Sequence, residues 1–311
     1  MPSSTTPTAG SFGPVILEPD AGMTPVYDFM RGATNALTMT MYELADPTAE
    51  QILAADAARG VRVRVLLDSA LEGGRNQPAR AYLASHGVDV VLAPASRITH
   101  QKTICTDGTA CLIMSLNLVT DDYAGTRDMA VEDSDRADVG AIESTFAADF
   151  AGETAPATSS GDHLLWSPGS EPGILGVIDD ARHSLAVENE EMNSTAVTDA
   201  LVSAARRGVD VEVCMTADDS YTAALNQIAA AGGHVHLYPD RDGVLYIHEK
   251  LVLADSGTAA ATAAVGSINF STSSMDDNRE LDVVLNEKDA PGQLSTLGAA
   301  FAGDFAGAPS M

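Results

Sequence analysis

Lysine is scarce in this chain of 311 residues, which contains three. Lysine and arginine together number 17 against 44 aspartates and glutamates, so the formal net charge is −27. A field of that sign repels phosphodiester polymers unless a local basic groove overrides it. The chain also has no basic run with interleaved aromatic residues, and we therefore expect no nucleic acid partner.

Cysteines and long apolar runs are scarce too. Three cysteines are too few for a disulfide framework, and Cys105 and Cys111, which flank a predicted turn, are expected to be buried thiols although they could pair. No run of 18 apolar residues occurs, which predicts no membrane-spanning helix. The first 13 residues lack the features of a secretion signal. We expect a secreted protein whose signal has been removed or, alternatively, a cytoplasmic one.

What the chain does contain is an internal repeat. The pattern His-x-Lys-x4-Asp occurs twice, beginning at His100 and at His248, which are 148 residues apart. Two of the three lysines belong to these motifs, and composition gives no reason for that coincidence. The same offset aligns residues 59–61 with 207–209 as Arg-Gly-Val. Beyond the second motif the offset is 152, and both halves then contain Ser-x-Asn.

Each half also has the same order of predicted elements. Residues 37–44, 61–67 and 88–92 alternate or are rich in valine and predict strands, whereas residues 50–58 and 78–85 have helical periodicity. The corresponding strands of the second half are 185–192, 209–215 and 234–238, and its helices are 196–206 and 221–231. The alternation predicts an α/β protein in which each half has a mixed sheet flanked by helices.

The repeat predicts the domain organisation. We expect a flexible segment at residues 1–13, a first half at 14–152, a linker at 153–161 and a second half at 162–311. A pseudo-twofold axis between the halves would bring both motifs to one shared cleft in a monomer. Residues 100–107 of the first motif are predicted as a strand, on which the His and the Lys point to the same face.

A His, a Lys and an Asn from each half suit a phosphodiester. Lys102 and Lys250 offer positive charge to the non-bridging oxygens, while Asn117 and Asn269 offer neutral amide donors to charge that develops in the transition state. One histidine can attack phosphorus to give a phosphohistidine. The other can protonate the departing oxygen and then deprotonate a water or alcohol acceptor. This chemistry requires neither a metal nor a cofactor.

Several carboxylates and hydroxyls are candidates for support. A carboxylate on the opposite ring nitrogen would hold the nucleophilic histidine in the required tautomer, and Asp128 and Glu280, each downstream of its own motif, are the candidates. Ser115 and Ser267 are expected to support the turn. Three glutamates form a charged strand end near the expected cleft, where they could hold head groups or cations or form a solvated edge: Glu188, Glu190 and Glu191.

These residues give the chain a resemblance to the phospholipase D superfamily. The family pattern, His-x-Lys-x4-Asp followed by Gly-Ser-x-Asn, appears twice, with Met114 replacing the first Gly. The resemblance covers nearly the whole chain and implies the phospholipase D-like fold, with two duplicated halves around a shared cleft. It also implies that His100 is the nucleophile and His248 the general acid and base, while the motif aspartates Asp107 and Asp255 brace the architecture.

The resemblance implies a phosphodiesterase that hydrolyses a phospholipid such as phosphatidylcholine at a membrane surface, with transfer of the phosphatidyl group to another alcohol as a second outcome. One alternative is a cardiolipin-type synthase, although such enzymes usually carry membrane-spanning segments. The other is a family endonuclease, which the net charge of −27 disfavours. A binding protein that inherited the fold would have lost motif groups, and none is lost.

Overall fold

Two sheets with the same strand order form the framework of the computed structural model, which describes residues 11–311. The elements of the first half are β1 (Phe12–Glu18), α1 (Thr24–Arg31), β2 (Ala36–Met41), β3 (Leu44–Ala45), α2 (Pro47–Ala58), β4 (Arg62–Leu67), α3 (Gln77–Ser85), β5 (Asp89–Leu92), β6 (Thr103–Thr106), β7 (Ala110–Met114), β8 (Leu118–Val119), β9 (Thr126–Asp133) and α4 (Arg136–Phe150).

The second half has the same order of main helices and sheet strands, and it differs in a few short elements. Its elements are β10 (Leu164–Ser167), α5 (Glu171–Asp180), β11 (Ser184–Glu188), α6 (Thr195–Arg206), β12 (Asp210–Thr216), a 3₁₀ turn (Asp219–Tyr221), α7 (Thr222–Ala230), β13 (His234–Tyr238), β14 (Tyr246–Ile247), β15 (Lys250–Ala254), β16 (Thr262–Gly266), a π-helical turn (Ser273–Asp277), β17 (Glu280–Asn286) and α8 (Pro291–Gly307).

The two sheets correspond strand by strand. The first has the order β1-β9-β7-β6-β2-β4-β5 and the second has the order β10-β17-β16-β15-β11-β12-β13. In each sheet three strands are parallel and the others are antiparallel, so both sheets are mixed. The prediction of an α/β protein with duplicated halves is therefore confirmed. Strand β14 of the second half pairs with β9 of the first half, which ties the two sheets together.

A shared hydrophobic core joins the halves. On β2, Leu37 and Met39 point towards the core that lies under α1 and α2, as the two-residue repeat of a strand requires. The opposite faces of both sheets meet in one cluster, which includes Val131 of the first half and Leu251 and Phe301 of the second. Because burying one such side chain contributes about 1.5–3 kcal/mol, this cluster holds the halves in a fixed relation.

The motif aspartates fix the turns that follow the motif strands. Asp107 and Asp255 have φ angles of 55° and 52°, in the left-handed region that most residues avoid. The Asp107 carboxylate accepts backbone N–H groups of residues 34–36, and the Asp255 carboxylate accepts those of residues 182–184. Burial acts to raise the pKa of each carboxyl, but these hydrogen bonds lower it overall. Both aspartates thus clamp a turn to the start of the neighbouring central strand.

Cys105 and Cys111 form a disulfide, contrary to the expectation of two free thiols. The two residues lie directly opposite each other on the antiparallel strands β6 and β7, and their Cα atoms are 4.0 Å apart. Their sequence spacing left both states open, whereas the register of the hairpin places the sulfurs within bonding distance. Cys214 is buried and free.

The predicted flexible segment overlaps the first strand, whereas the predicted linker lies between two observed elements. β1 begins at Phe12, so the last two residues of the predicted flexible segment 1–13 belong to a strand, while residues 1–10 lie outside the described residues. α4 ends at Phe150 and β10 begins at Leu164, on either side of the predicted linker. No helix within residues 11–311 combines the length and the apolar character that crossing a bilayer requires.

Candidate active site

A cleft of about 370 Å³ lies where the two halves meet, and it collects side chains from both motifs. The predicted site residues on its wall are His100, His248, Asn117, Asn269 and Glu280, and Glu190 joins them. Lys102 and Lys250 are only 1% and 2% exposed and lie beside the histidines. Asp107 and Asp255 are bound to backbone amides away from the cleft, in the bracing position that the family resemblance implies.

His100 is held by a buried carboxylate. Its Nδ1 lies 2.7 Å from Oε2 of Glu280, whose other oxygen accepts the Ser274 hydroxyl and, at 3.0 Å, the Asn278 amide. Burial acts to raise the pKa of Glu280, but His100 and Lys102 lower it overall, so this carboxyl is ionised. An ionised acceptor assigns the hydrogen to Nδ1 and leaves Nε2 of His100 free for chemistry.

His248 is held in the same way. Its Nδ1 lies 2.7 Å from Oδ1 of Asp128. The Ser115 hydroxyl donates to the same oxygen at 2.6 Å and accepts the backbone N–H of Met129 at 2.9 Å. Ser115 therefore positions Asp128. Ser267, its counterpart, accepts the backbone N–H of Leu281.

Each orienting carboxylate comes from the opposite half of the chain. Asp128 follows the first motif but holds His248, and Glu280 follows the second motif but holds His100. The expectation that each half-site contains its own orienting carboxylate is therefore wrong. Reciprocal contacts of this kind are the pattern that a twofold axis produces. Neither histidine is correctly oriented by its own half alone.

Two arginines hold the chain segments of the carboxylates that cross between the halves. Neither arginine was identified from the sequence. Arg127 directly precedes Asp128 and forms two hydrogen bonds, of 2.6 and 2.9 Å, with Asp304 on α8. Arg279 directly precedes Glu280 and bonds Asp149 on α4 at 2.8 and 3.0 Å. Each arginine thus reaches the last helix of the other half. The sequence contains a signal for these two pairs. An Arg directly precedes each candidate carboxylate, and each of the two matching Phe-Ala-x-Asp-Phe segments contains an Asp.

The same arginines also hold the motif backbone. The carbonyl oxygen of Arg279 accepts the N–H groups of residues 100 and 101, both at 2.9 Å. The carbonyl oxygen of Arg127 accepts those of residues 248 and 249, at 3.1 and 2.8 Å. Because these N–H groups bond across the halves, the motif strands begin later than predicted, β6 at Thr103 and β15 at Lys250.

The two lysines form the floor of the cleft. Lys102 donates to the carbonyl oxygen of His100 at 2.7 Å, and its Nζ lies 4.9 Å from the centre of the Tyr42 ring. Lys250 donates to the carbonyl oxygen of His248 and, at 3.1 Å, to Glu190. Burial, and then the charge of Lys250, lower the pKa of Lys102 to about 7. A bound anion would restore the full charge of Lys102.

The environment of His100 favours a neutral ring. Burial lowers the pKa of His100, and the two lysines lower it further, although the Glu280 carboxylate acts in the opposite direction. A ring that is unprotonated near neutral pH, with Nδ1 bound to a carboxylate, presents the lone pair of Nε2 to the cleft. This is the state that nucleophilic attack requires.

Glu190 brings a negative charge into the centre of the cleft. Its Oε2 accepts hydrogen bonds from Lys250 at 3.1 Å and Asn269 at 3.2 Å and lies 3.5 Å from Nε2 of His248, while Oε1 accepts the Tyr246 hydroxyl at 3.0 Å. Burial acts to raise the pKa of Glu190, but Lys250 and the histidines hold it well below its ordinary value. Glu190 is therefore an anion surrounded by the cations of the site.

The other two glutamates of this strand end have different surroundings. Glu188 is fully buried on the face of the sheet opposite α6, near Glu249, and burial and then Glu249 raise its pKa well above its ordinary value. Burial also raises the pKa of Glu249 to about 8. Glu191 lines the cleft. A solvated edge is thus the wrong interpretation for Glu188 and Glu190.

One group of side chains within residues 11–311 has the spacing of a metal site: Asp135, Asp138 and His163. Asp135 accepts backbone N–H groups of the first turn of α4, and Asp138 accepts from His163 at 2.7 Å. All three have protein partners, and none of them lines the cleft.

Comparisons with known proteins agree with this arrangement. A family model described as "Cardiolipin synthase, PLD-like domain" matches residues 26–150 and again residues 174–297. The chain belongs to the phospholipase D superfamily. The two matches fall in the two halves, so this phospholipase D superfamily protein carries the domain twice, as the repeat predicted. No curated protein matches the chain in sequence.

Solved structures share the fold of this superfamily member at low sequence identity. Polyphosphate kinase from Porphyromonas gingivalis is 14% identical, with a TM-score of 0.65 over 94% of this chain and 49% of that one. Phosphatidylserine synthase from Haemophilus influenzae Rd KW20 is 12% identical, with a TM-score of 0.65 over 97% of this chain and 89% of that one. The chain spans about half the length of the kinase. These likenesses confirm the predicted fold.

Proposed function

We propose that this protein is a phospholipase D-type phosphodiesterase that cleaves a phospholipid through a phosphohistidine intermediate. The observation that carries the proposal is the pair of histidines on one cleft wall, each with Nδ1 bound to a carboxylate at 2.7 Å. A carboxylate on Nδ1 directs the chemistry to Nε2. Two buried lysines beside these rings supply the positive charge that a phosphodiester needs.

The two histidines divide the reaction. Nε2 of His100 attacks phosphorus while the bond from phosphorus to the leaving oxygen breaks, and Nε2 of His248 gives its proton to that oxygen. His248 then takes a proton from a water or alcohol, whose oxygen attacks phosphorus and releases His100. The lowered pKa of His100 supports its role as nucleophile. The Glu190 carboxylate lies 3.5 Å from Nε2 of His248, on the cleft side of that ring.

The net charge of the chain and the description of the matching family model both favour a lipid substrate. The net charge of −27 opposes the approach of a nucleic acid, whose affinity comes mainly from phosphate contacts with basic residues. The description of the matching family model names a lipid enzyme, cardiolipin synthase. The same description favours phosphatidyl transfer to an alcohol as a second outcome, because any acceptor that reaches the phosphohistidine can resolve it.

We also propose an oligomeric state and a location for the protein, which is a monomer in an oxidising compartment. Both halves of the cleft come from one chain, so a monomer is sufficient for activity. The disulfide between Cys105 and Cys111 is typical of proteins that work outside the cytoplasm. The protein therefore acts as a secreted monomer.

The test is a paired assay with phosphatidylcholine vesicles and single-stranded DNA in the presence of a chelator. We expect choline release from the vesicles and, with butanol added, formation of phosphatidylbutanol, while the DNA stays intact. His100→Ala should abolish both lipid products. Cleavage of DNA without any vesicle turnover would contradict the proposal and indicate a nuclease.

A further inference from the structure

Glu190 occupies the position that the proposed reaction assigns to phosphate. Its Oε2 lies within hydrogen-bond distance of Lys250 and Asn269 and 3.5 Å from Nε2 of His248. These groups are the partners of the non-bridging oxygens and the departing oxygen in that reaction. Two oxygens cannot lie in one place, so a phosphate that contacts these donors must displace the Glu190 carboxylate.

The first half has no such anion. At the offset of 148, the counterpart of Glu190 is Tyr42, whose ring packs edge-on against His100 with the ring centres 4.7 Å apart. Its hydroxyl donates to Glu72 at 3.2 Å, and within residues 11–311 no carboxylate bonds Lys102. Among the described residues, the second half-site therefore has a carboxylate bound to its motif lysine, and the first half-site does not.

Few favourable positions are open to the displaced carboxylate. Glu190 also lines a smaller adjoining cavity of about 110 Å³, whose wall includes Glu191, Asp218 and Asp240. A carboxylate that leaves Lys250 on this side approaches other negative charges. The displaced Glu190 carboxylate therefore stays near the bound phosphate. The repulsion between them grows with the negative charge of the phosphate.

The fixed charges of the floor match a monoanion. Lys102 and Lys250 contribute two positive charges and Glu190 contributes one negative charge, which together balance the single charge of a phosphodiester. We propose that Glu190 is a specificity-determining residue that competes with phosphate for Lys250 and so rejects dianionic monoesters and inorganic phosphate in favour of diesters. This inference rests on the proposed phosphodiester chemistry. Hydrolysis turns a monoanion into a dianion, so Glu190 would also help to expel the product.

The test measures binding rather than turnover. Isothermal titration calorimetry at about pH 8, where inorganic phosphate is a dianion, compares inorganic phosphate with dimethyl phosphate, a monoanionic diester. Glu190→Gln should bind inorganic phosphate roughly tenfold more tightly than the wild type and dimethyl phosphate only about threefold more tightly. The control Asp89→Asn removes the same charge from an exposed residue that lines neither cavity, and it should change both affinities less than about twofold.

A second variant keeps the inference testable if Glu190→Gln does not fold. Tyr246→Phe removes the hydroxyl that holds Oε1 of Glu190, so the carboxylate becomes easier to displace and phosphate should bind about threefold more tightly. Unchanged or weaker binding of inorganic phosphate in the folded variants would overturn the inference. Because binding needs no turnover, absent hydrolysis with a shifted phosphate affinity would count against the proposed function alone.

Discussion

The two half-sites have the same framework but carry different charges. In the first half, the positions around the motif are occupied by Tyr42, Gln101 and Thr40, which are uncharged. In the second half, the corresponding positions are occupied by Glu190, Glu249 and Glu188. Strand order, motif spacing, orienting carboxylates and arginine anchors are otherwise repeated.

This difference explains how a duplicated site can assign two roles. Two identical halves would give both histidines the same electrostatic surroundings, so neither would be preferred as nucleophile. Here burial and the lysines lower the pKa of His100. Nε2 of His248 instead lies 3.5 Å from the Glu190 carboxylate, which has no counterpart beside His100 at the equivalent position, Tyr42. We propose that divergence of a few side chains after duplication gives the two histidines different roles.

The largest expected effect comes from removing either histidine. His100→Ala and His248→Ala should each lower phosphatidylcholine turnover by at least about 10³-fold. The comparison becomes sharper with a diester that has a p-nitrophenyl leaving group, which departs without protonation. In His248→Ala this diester should release p-nitrophenol in a rapid burst of about one equivalent, because the first step no longer needs the acid, whereas His100→Ala should give no burst.

His86→Ala removes an exposed histidine outside the cleft and should behave as the wild type in both assays. An equal burst of p-nitrophenol from His100→Ala and His248→Ala would mean that the two histidines have interchangeable roles. That result would contradict the division of labour between the halves.

The next largest effect concerns the carboxylates that cross between the halves. Glu280→Gln should lower kcat/KM by about 10²-fold, because the amide no longer fixes the ring of His100. The Glu280 carboxylate raises the pKa of His100, so its removal should move the acid limb of the pH profile to lower pH. Asp121→Asn, an exposed acid, should leave the profile unchanged. A shifted limb in Asp128→Asn, rather than in Glu280→Gln, would show that the partners are assigned wrongly.

The smallest expected effect on function comes from Glu249, whose equivalent in the first half is Gln101. Glu249 affects the stability of the fold. Burial raises the pKa of Glu249 from an ordinary value of 4.5 to about 8. The folded state therefore binds a proton more tightly than the unfolded state, and the stability that this proton contributes is present below pH 4.5 and lost as pH rises towards 8. Glu249→Gln should remove this loss and raise the free energy of unfolding at pH 8 by up to about 4 kcal/mol.

Urea unfolding at a series of pH values measures this prediction. The reverse change in the first half, Gln101→Glu, buries a carboxyl there and should introduce a similar loss of stability with rising pH. Parallel stability curves for the wild type and Glu249→Gln between about pH 4.5 and 8 would contradict the raised pKa of Glu249.

The framework was accessible from the sequence because its signals are local. The alternating valines of β4 and β12 and the Arg-Gly end of α2 and α6 depend on neighbours in the chain, and these elements lie where they were predicted. The two motifs could be placed in one cleft because a repeat with a constant offset predicts equivalent positions around an axis.

The contacts that complete the site were not accessible in the same way. Asp128 and His248 are 120 residues apart, and Glu280 and His100 are 180 residues apart, so their pairing depends on how the halves pack. The order of residues along the chain places each carboxylate after its own motif and gives no sign of the crossed pairing. Glu190 likewise could not be distinguished from a solvated edge, because its place in the cleft depends on Lys250 and Asn269.

The most direct test of this account is the position of the covalent phosphate in the His248→Ala variant. This variant can form the intermediate with a p-nitrophenyl diester but lacks the base that activates water, so the intermediate should accumulate. Peptide mass spectrometry should then find the phosphoryl adduct on His100, and ³¹P NMR should show attachment through Nε2. An adduct on any other residue, or a ring phosphorylated at Nδ1, would contradict the account.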